Sequence, residues 1–232
     1  MKHYEFNIPG GTVNVGCSDR SDGSFALDEP TELLEQRRQR LLGSGRRWIA
    51  LRQVHGAEVF DPLAVAATPL SAAGLPEADA SVSFDSSLGV SVLTADCAPV
   101  VLIGSTGVAV VHAGWRGAAA GVIEAAAEWL RSGGAEPVAT LLGPCIQPGA
   151  YEFGAADLEP IVASFGPEVV GRSAVGTDAL DLTRVVQIGC ERAGWVIPDR
   201  PVCTSSSDYY SHRTRADKQR QATVAWIEWE KS

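Results

Sequence analysis

The sequence predicts a mixed α/β fold in which layers of β-sheet are covered by helices. Short apolar runs rich in β-branched residues recur along the chain and predict strands. They read WIALRQV, ASVSF, GVSVLTA, PVVLIG, GVAVVHA, VATLLG and QATVAWIEW. Helical patterns lie between some of these runs, but strands and helices do not alternate regularly. This order favours a mixed sheet arrangement over a doubly wound parallel sheet.

Helical spacing of apolar residues predicts four helices. They span residues 31–42, 117–131, 155–164 and 181–193. A glycine follows each of the last three, at Gly133, Gly166 and Gly194, and provides a C-terminal stop.

The strand runs differ in the faces they are expected to bury. Residues 100–103 (VVLI) and 108–111 (VAVV) are continuously apolar, which predicts that both faces of these strands are buried. Polar and apolar residues alternate from Thr223 to Trp229, so one face of the last strand is expected to contact water. Residues 61–78 and 203–220 have loop composition and are expected to border a site.

Composition limits the class of protein. The 232 residues are 45% hydrophobic and 20% charged, which is ordinary for a globular protein, and a single domain over residues 1–232 is expected. A net charge of -9 argues against nucleic acid as a partner, because phosphate backbones need clustered Lys and Arg. The sequence leaves the oligomeric state open.

Neither a membrane segment nor a disulfide framework is expected. No apolar run approaches the roughly 18 residues of a membrane span, and MKHYEFNIPGG lacks the apolar core of a signal peptide. The five cysteines are odd in number, scattered and without a C-x-x-C pair, which indicates reduced thiols. These features predict a cytoplasmic protein.

Two of the four histidines end strand-like runs. His55 follows WIALRQV, and His112 follows GVAVV. Between them, Cys97 interrupts the apolar stretch LTADCAPVVL just before Pro99. If these strand ends lie at one edge of the sheets, then His55, Cys97 and His112 converge.

Two imidazoles and a thiolate would supply three positions of a tetrahedral zinc site and leave the fourth for water or substrate. These ligands favour zinc or copper over magnesium or calcium, and copper could load adventitiously. Two other interpretations stay open. The three side chains could be structural, or Cys97 could act as a nucleophile with a histidine base.

Six short motifs occur in this order along the chain: RQVHG, LTADCAPVVL, VVHAGWRG, LGPCI, YEFG and CTSSSDYYSHR. Together they resemble the YfiH-like laccase-domain family. This family is also called multicopper polyphenol oxidoreductase, purine nucleoside phosphorylase and peptidoglycan-editing factor PgeF. The resemblance implies that His55, Cys97 and His112 are the metal ligands. It also implies zinc as the metal, and purine nucleosides and phosphate as substrates.

The chain departs from the family pattern at both ends. The family has Arg-x-Gly-Gly-Val-Ser followed by Asn-Leu-Gly near its N-terminus, whereas this chain has CSDRSDGSFALDEP, with Arg20 and Ser24 as remnants. A family-like Ser-Tyr-Arg-Arg reads SHRTR, so Ser211 and Arg213 match while His212 does not. These changes bear on substrate choice.

Two chemistries fit the implied substrates. In phosphorolysis, Arg116 at the start of the helix after HAGW would act in catalysis and bind phosphate, assisted by Arg213, Arg20 and Ser211. In adenosine deamination, a second activity, an activated water attacks purine C6 and Asp96 moves the proton, with Glu152 in reserve. Asp96 could equally be structural. Gly114 and Gly117 are expected to permit the tight turn into the helix.

Three further functions compete with phosphorolysis. A copper laccase would need roughly ten histidines and the chain has four, which disfavours it. Cys97 could instead serve an amide or acyl hydrolase linked to peptidoglycan editing. A metal-binding regulatory protein without catalysis would follow if the altered N-terminal segment removes the nucleoside pocket.

Overall fold

The computed structural model describes residues 1–43, 45–63 and 74–230. The strands in these ranges are β1 (Lys2–Ile8), β2 (Gly11–Cys17), β3 (Arg47–Ile49), β4 (Val59–Phe60), β5 (Ala80–Ser83), β6 (Leu88–Thr94), β7 (Ala98–Gly104), β8 (Val108–Ala113), β9 (Pro137–Leu142), β10 (Val170–Arg172), β11 (Asp178–Leu180) and β12 (Gln221–Trp229). The helices are α1 (Thr31–Leu42), α2 (Trp115–Ala119), α3 (Val122–Ser132), α4 (Ala155–Phe165), α5 (Leu182–Arg192) and α6 (His212–Arg215).

Two five-stranded sheets form the centre of the fold. The first sheet has the order β1-β2-β12-β6-β3, and the second has the order β4-β5-β8-β7-β9. Most neighbouring strands are antiparallel, but β3 runs parallel to β6, and β4 runs parallel to β5. The predicted mixed α/β architecture is therefore confirmed.

The two sheets pack face to face. On β7, Val101 and Ile103 belong to the apolar cluster shared with the first sheet. Val100 and Leu102, on the other face of the same strand, pack with the helices α2 to α5. Successive side chains of a strand point to opposite faces, so a continuously apolar strand fills two cores. The prediction that residues 100–103 and 108–111 are buried on both faces is confirmed.

The outer face of the first sheet is covered by α1. Leu41 and Leu42 of this helix pack with Val224 and Trp226 of β12. The expectation of a wet face along β12 is therefore wrong for most of its length, since Gln221 to Ile227 are all buried. The alternation in the sequence reflects two different cores, one against α1 and one against the second sheet.

The helix predicted over residues 117–131 is interrupted. It divides into α2 and α3 at Gly121, whose φ of +88° belongs to the left-handed region that favours glycine. The other predicted helices match α1, α4 and α5 within one or two residues. None of the helices in the described ranges is long and apolar enough to span a membrane. Part of the predicted 61–78 loop, residues 64–73, lies outside the described residues.

Candidate metal centre

The β7–β8 hairpin brings Cys97 and His112 together. The two strands are antiparallel, with Pro99 opposite His112 and Ala98 opposite Ala113. Cys97 immediately precedes β7, and His112 lies near the end of β8. The third residue, His55, comes from the segment that follows β3 and has a left-handed φ of +61°.

The structure places His55, Cys97 and His112 in one cluster. Their ligand atoms all lie within 4.8 Å of one another, and Cys97 Sγ is 3.8 Å from His55 Nε2. Within residues 1–43, 45–63 and 74–230, this is the one group of three or more such side chains close enough to hold a metal ion. His112 is buried, Cys97 is half-buried and His55 is exposed, so the cluster is open to solvent on the His55 side.

Asp79, which sequence reasoning missed, holds two of these residues in place. Its Oδ1 lies 2.8 Å from His112 Nδ1. Its two carboxylate oxygens also accept hydrogen bonds from the backbone N–H groups of Val54, His55 and Gly56, at 3.1, 2.9 and 2.7 Å. Asp79 immediately precedes β5, which pairs with β8, and this pairing places its carboxylate beside His112.

The cluster shifts the pKa values of its members in opposite directions. Burial would raise the pKa of the Cys97 thiol, but the charge and hydrogen bonds of His112, and then of His55, lower it to about 6. Burial would lower the pKa of His112, but Cys97 and Asp79 raise it to about 9. In the metal-free cluster, these shifts favour the thiolate form of Cys97 and the protonated form of His112.

Gly114 packs directly against the cluster. A Cβ at this position would lie 2.9 Å from His55 Cδ2 and 3.2 Å from Cys97 Sγ. Its φ of -71° is available to any residue, so the glycine provides space for the side chains rather than a special turn. The expectation that Gly114 serves the backbone turn is corrected accordingly.

The donor set fits a metal ion of the zinc type. One thiolate and two imidazoles are typical zinc ligands, and a fourth position is left for an exogenous group. In a tetrahedral zinc site the ligand atoms are about 3.5 Å apart, by bond lengths of about 2.0 and 2.3 Å. Cys97 Sγ and His55 Nε2 are 3.8 Å apart, and all the ligand atoms lie within 4.8 Å of one another, so the three side chains could hold such an ion after movements that bring them closer.

A cavity of about 680 Å³ opens over the cluster and is called the cleft below. It has an apolar part from Leu27, Leu51 and Leu93, and a basic part. The described residues that line it are Ala26, Leu27, Asp28, Leu51, Arg52, Gln53, His55, Leu93, Thr94, Ala95, Cys97, His112, His212, Lys218 and Arg220. This volume is in the range of small-molecule sites.

The cations predicted to bind phosphate lie elsewhere. Arg20 pairs with Asp217 at 2.7 Å, and the Arg116 guanidinium stacks on Trp115. Arg213 stacks on Tyr151 and donates to the backbone of Glu152. None of the three arginines is among the described residues that line the cleft. Instead, three other cations line it, namely Arg52, Lys218 and Arg220.

Ser211 has a structural position. It is completely buried, and its hydroxyl accepts from the backbone N–H of Thr214 as the N-cap of α6. Its own backbone N–H donates to Asp217. The side chain therefore fixes the segment that presents His212 and does not itself line the cleft.

Both carboxylate oxygens of Asp96 accept hydrogen bonds from other residues of the chain. Its Oδ1 accepts from the Thr204 hydroxyl and its Oδ2 from the backbone N–H of Arg213, both at 2.6 Å. Asp96 has a φ of +103°, which is unusual for a non-glycine residue, and these bonds stabilise it. Glu152, the reserve candidate, is exposed and accepts from Ser173 and Thr177. Neither carboxylate is among the residues described as lining the cleft.

The altered N-terminal segment still contributes to the cleft. Arg20 and Ser24 do not line it, but Ala26, Leu27 and Asp28 from the same segment do. The Ser24 hydroxyl caps the backbone of Ala26 at 3.1 Å, which helps to fix this wall. No periodic pattern in the sequence indicates these three residues or Lys218, because they lie outside regular strands and helices.

The fold and this site define a mixed α/β protein with a candidate metal centre of two histidines and one cysteine. The profile of one protein family, described as multi-copper polyphenol oxidoreductase laccase, matches residues 10–228. The chain belongs to this family, which includes the YfiH proteins. The resemblance of the six motifs to this family is thereby confirmed.

Curated relatives carry a different name from the family profile. A purine nucleoside phosphorylase of Streptomyces coelicolor is 33% identical over 230 residues, which covers 94% of this chain and 92% of the relative. A purine nucleoside phosphorylase of Xylella fastidiosa is 38% identical, with 94% of this chain and 86% of the relative covered. The purine nucleoside phosphorylase YfiH of Escherichia coli is 31% identical, with coverages of 88% and 85%.

Solved structures share the fold. The Neisseria meningitidis protein NMB0706 superposes with a TM-score of 0.75 at 24% identity, covering 98% of this chain and all of that one. The hypothetical protein YfiH of Bacillus licheniformis also gives 0.75, at 18% identity, with coverages of 96% and 98%. At these identities the similarity establishes the architecture.

Proposed function

We propose that this protein is a zinc-dependent purine nucleoside phosphorylase that cleaves adenosine or inosine with inorganic phosphate. The observation that carries the proposal is the cleft, which joins the His55, Cys97 and His112 cluster to three cations in one cavity. The names of the relatives from Streptomyces coelicolor and Xylella fastidiosa support the same activity.

The basic part of the cleft is the proposed phosphate site. Arg52, Lys218 and Arg220 line it, and Asp28 is the one carboxylate among the described lining residues. Arg52 also forms an ion pair with Glu77. This local excess of positive charge contrasts with the net charge of -9 of the whole chain. Arg220 also donates to the carbonyls of residues 217 to 219, and these bonds hold the segment that carries Lys218. Guanidinium and ammonium groups bind phosphate oxygens by charge-assisted hydrogen bonds.

The apolar part of the cleft is the proposed nucleoside site. Leu27, Leu51 and Leu93 offer a surface against which a purine ring can pack. Thr94 lines the same cavity, and its buried hydroxyl has no hydrogen-bond partner within the part of the chain that the structure describes. A buried hydroxyl of this kind is suited to a polar atom of a ligand.

The proposed reaction transfers a ribosyl group. A phosphate oxygen forms a bond to ribose C1′ while the bond from C1′ to the purine nitrogen breaks, and the purine leaves with the electron pair and takes up a proton. A zinc ion held by the cluster would supply Lewis-acid polarisation of an oxygen ligand. Arg52 and Lys218 would orient the phosphate, and the leucine surface would exclude water that could replace phosphate as the nucleophile.

The test is product analysis with zinc-loaded protein, inosine and phosphate. Hypoxanthine and ribose 1-phosphate in equal amounts, formed only when phosphate is present, are the expected result. Free ribose would indicate hydrolysis and contradict phosphorolysis. Run with adenosine, the same assay reports deamination as inosine, an activity that stays a prediction of the sequence.

The assay also separates the remaining alternatives. A Cys97 nucleophile requires a free thiolate, so an amide or acyl hydrolase would be inhibited by bound zinc, whereas the phosphorylase requires it. A regulatory metal-binding protein would hold zinc and give no products. The chain has too few histidines for the copper cluster of the laccase chemistry in the family's name. Only His3 and His212 remain outside the candidate centre.

A further inference from the structure

We propose that Asp79 is a positioning residue for the metal centre, which selects the coordinating nitrogen of His112 and fixes the backbone conformation that presents His55. The proposal rests on the metal-binding part of the proposed function. It concerns a residue outside the three candidate ligands, and it follows from the five hydrogen bonds that Asp79 accepts.

The first part of the role concerns His112. Asp79 Oδ1 lies 2.8 Å from Nδ1 of this ring, and both side chains are buried. A carboxylate accepts hydrogen bonds and does not donate them, so Nδ1 carries the proton. The lone pair of the neutral ring is then on Nε2, the nitrogen left for coordination. The backbone N–H of His112 also donates to the Asp79 carbonyl at 2.7 Å, which fixes the two residues relative to each other.

The second part of the role concerns His55. The same carboxylate accepts from three consecutive backbone N–H groups, those of Val54, His55 and Gly56. The left-handed backbone conformation of His55 is strained for a residue other than glycine. Three bonds to a buried carboxylate offset this strain and hold the segment in the conformation that turns the His55 ring toward Cys97.

Only a carboxylate satisfies both parts at once. Oδ1 serves His112 Nδ1 and the His55 N–H, while Oδ2 serves the Val54 and Gly56 N–H groups. In Asp79→Asn, one oxygen becomes an NH₂ donor. If that donor faces His112, it favours the proton on Nε2 and blocks coordination there. If it faces Val54 and Gly56, the NH₂ group meets two backbone N–H groups that are also donors. Their hydrogen bonds are lost, and the segment that carries His55 is released.

The test compares zinc affinity in Asp79→Asn and in wild-type protein, by competition with a chromophoric chelator. The expected result is a 10- to 100-fold weaker Kd, the range typical for loss of a carboxylate that orients a ligand histidine. Asp181→Asn is the matched control, because Asp181 caps α5 and pairs with Arg200 but does not line the cleft. It should bind zinc as wild type does. A wild-type Kd in Asp79→Asn would overturn the proposal.

A second measurement needs no variant and so is independent of folding defects. In ¹⁵N spectra of zinc-loaded wild-type protein, His112 should be metal-bound through Nε2 and protonated on Nδ1. Coordination through Nδ1 would overturn the proposal. These readouts are separate from catalysis: a zinc-loaded protein with no phosphorolysis contradicts the proposed activity and leaves the comparison of affinities valid.

Discussion

The metal cluster and the rest of the cleft lining are held by different kinds of structure. Cys97 and His112 belong to a buried hairpin between two cores, and Asp79 ties His55 to the same hairpin. Leu93 and Thr94 come from β6 and His212 comes from α6, but other lining residues, such as 26–28 and 218–220, lie outside regular strands and helices. Residues 26–28 belong to the N-terminal segment in which the chain departs from the family pattern. The cleft thus combines a cluster fixed by paired strands with loop residues proposed to contact substrate, which are called the substrate wall below.

Because the cluster and the loop residues are held differently, some substitutions should abolish activity and others should only alter it. Side chains on the hairpin are held by cross-strand pairing and burial, so their positions tolerate little change. Loop side chains are held by a few hydrogen bonds and can be exchanged without loss of the fold. Changes at the cluster should therefore remove metal, while changes at the substrate wall should alter KM and leave the metal bound.

Replacing Cys97 should have the largest effect. Cys97→Ala removes the one sulfur ligand, so we expect zinc content to fall from about one per chain to a trace, with loss of phosphorolysis. Elemental analysis of purified protein measures the first and product analysis the second. Cys190→Ala, in α5 and away from the cleft, should keep both. Full zinc content in Cys97→Ala would contradict the ligand set.

A side chain at Gly114 should come next. The added Cβ of Gly114→Ala would meet His55 and Cys97 at 2.9 and 3.2 Å, so the cluster must widen. We expect zinc affinity to fall by about tenfold or more, with the fold retained because the backbone conformation suits alanine. Gly149→Ala is the control, since nothing lies within 4 Å of its Cβ. Equal zinc affinities in the two variants would show that the cluster does not need the space left by the missing side chain of Gly114.

The substrate wall should respond in KM. Lys218→Ala should raise the KM for phosphate about tenfold, because one charge-assisted contact is lost, while zinc content stays at the wild-type level. Steady-state kinetics with varied phosphate measure this. Arg172→Ala, an exposed arginine paired with Asp178, is the matched control. An effect at Arg116 in place of Lys218 would favour the phosphate site predicted from the sequence.

The smallest effect is a pH dependence of thiol reactivity in metal-free protein. The pKa of Cys97 is lowered to about 6, so alkylation by iodoacetamide should slow by about tenfold from pH 7 to pH 5, as thiolate is lost. Burial raises the pKa of Cys17 to about 11 and that of Cys145 to about 12. Peptide mapping should therefore find label on Cys97 before these two. If the alkylation rate of Cys97 already fell steeply as the pH dropped below 8, the lowered pKa of its thiol would be contradicted.

Much of the fold and of the cluster could be predicted from local patterns. Continuous apolar runs identified β7 and β8, and the polar residues at the ends of these runs identified Cys97 and His112. The hairpin β1–β2 was missed because its first strand, KHYEFNI, is a largely exposed edge strand whose alternating apolar residues form no continuous apolar run. The face of β12 was misjudged because α1, far away in sequence, covers it.

The rest of the site depends on long-range contacts that a sequence does not reveal. Asp79 acts through backbone groups 23 to 25 positions earlier in the chain and through a ring on another strand. Arg20, predicted at the site from a motif remnant, instead pairs with Asp217, 197 positions away. Charge and motif indicated the residue types that a phosphate site needs, but only the packing of loops decides which cations line the cleft.

The most direct test of the metal centre is zinc K-edge X-ray absorption on zinc-loaded protein. We expect one sulfur neighbour at about 2.3 Å and two imidazole nitrogens at about 2.0–2.1 Å, with the remaining position filled by an exogenous light atom. A spectrum with nitrogen and oxygen neighbours alone, or with two or more sulfurs, would contradict a centre formed by His55, Cys97 and His112.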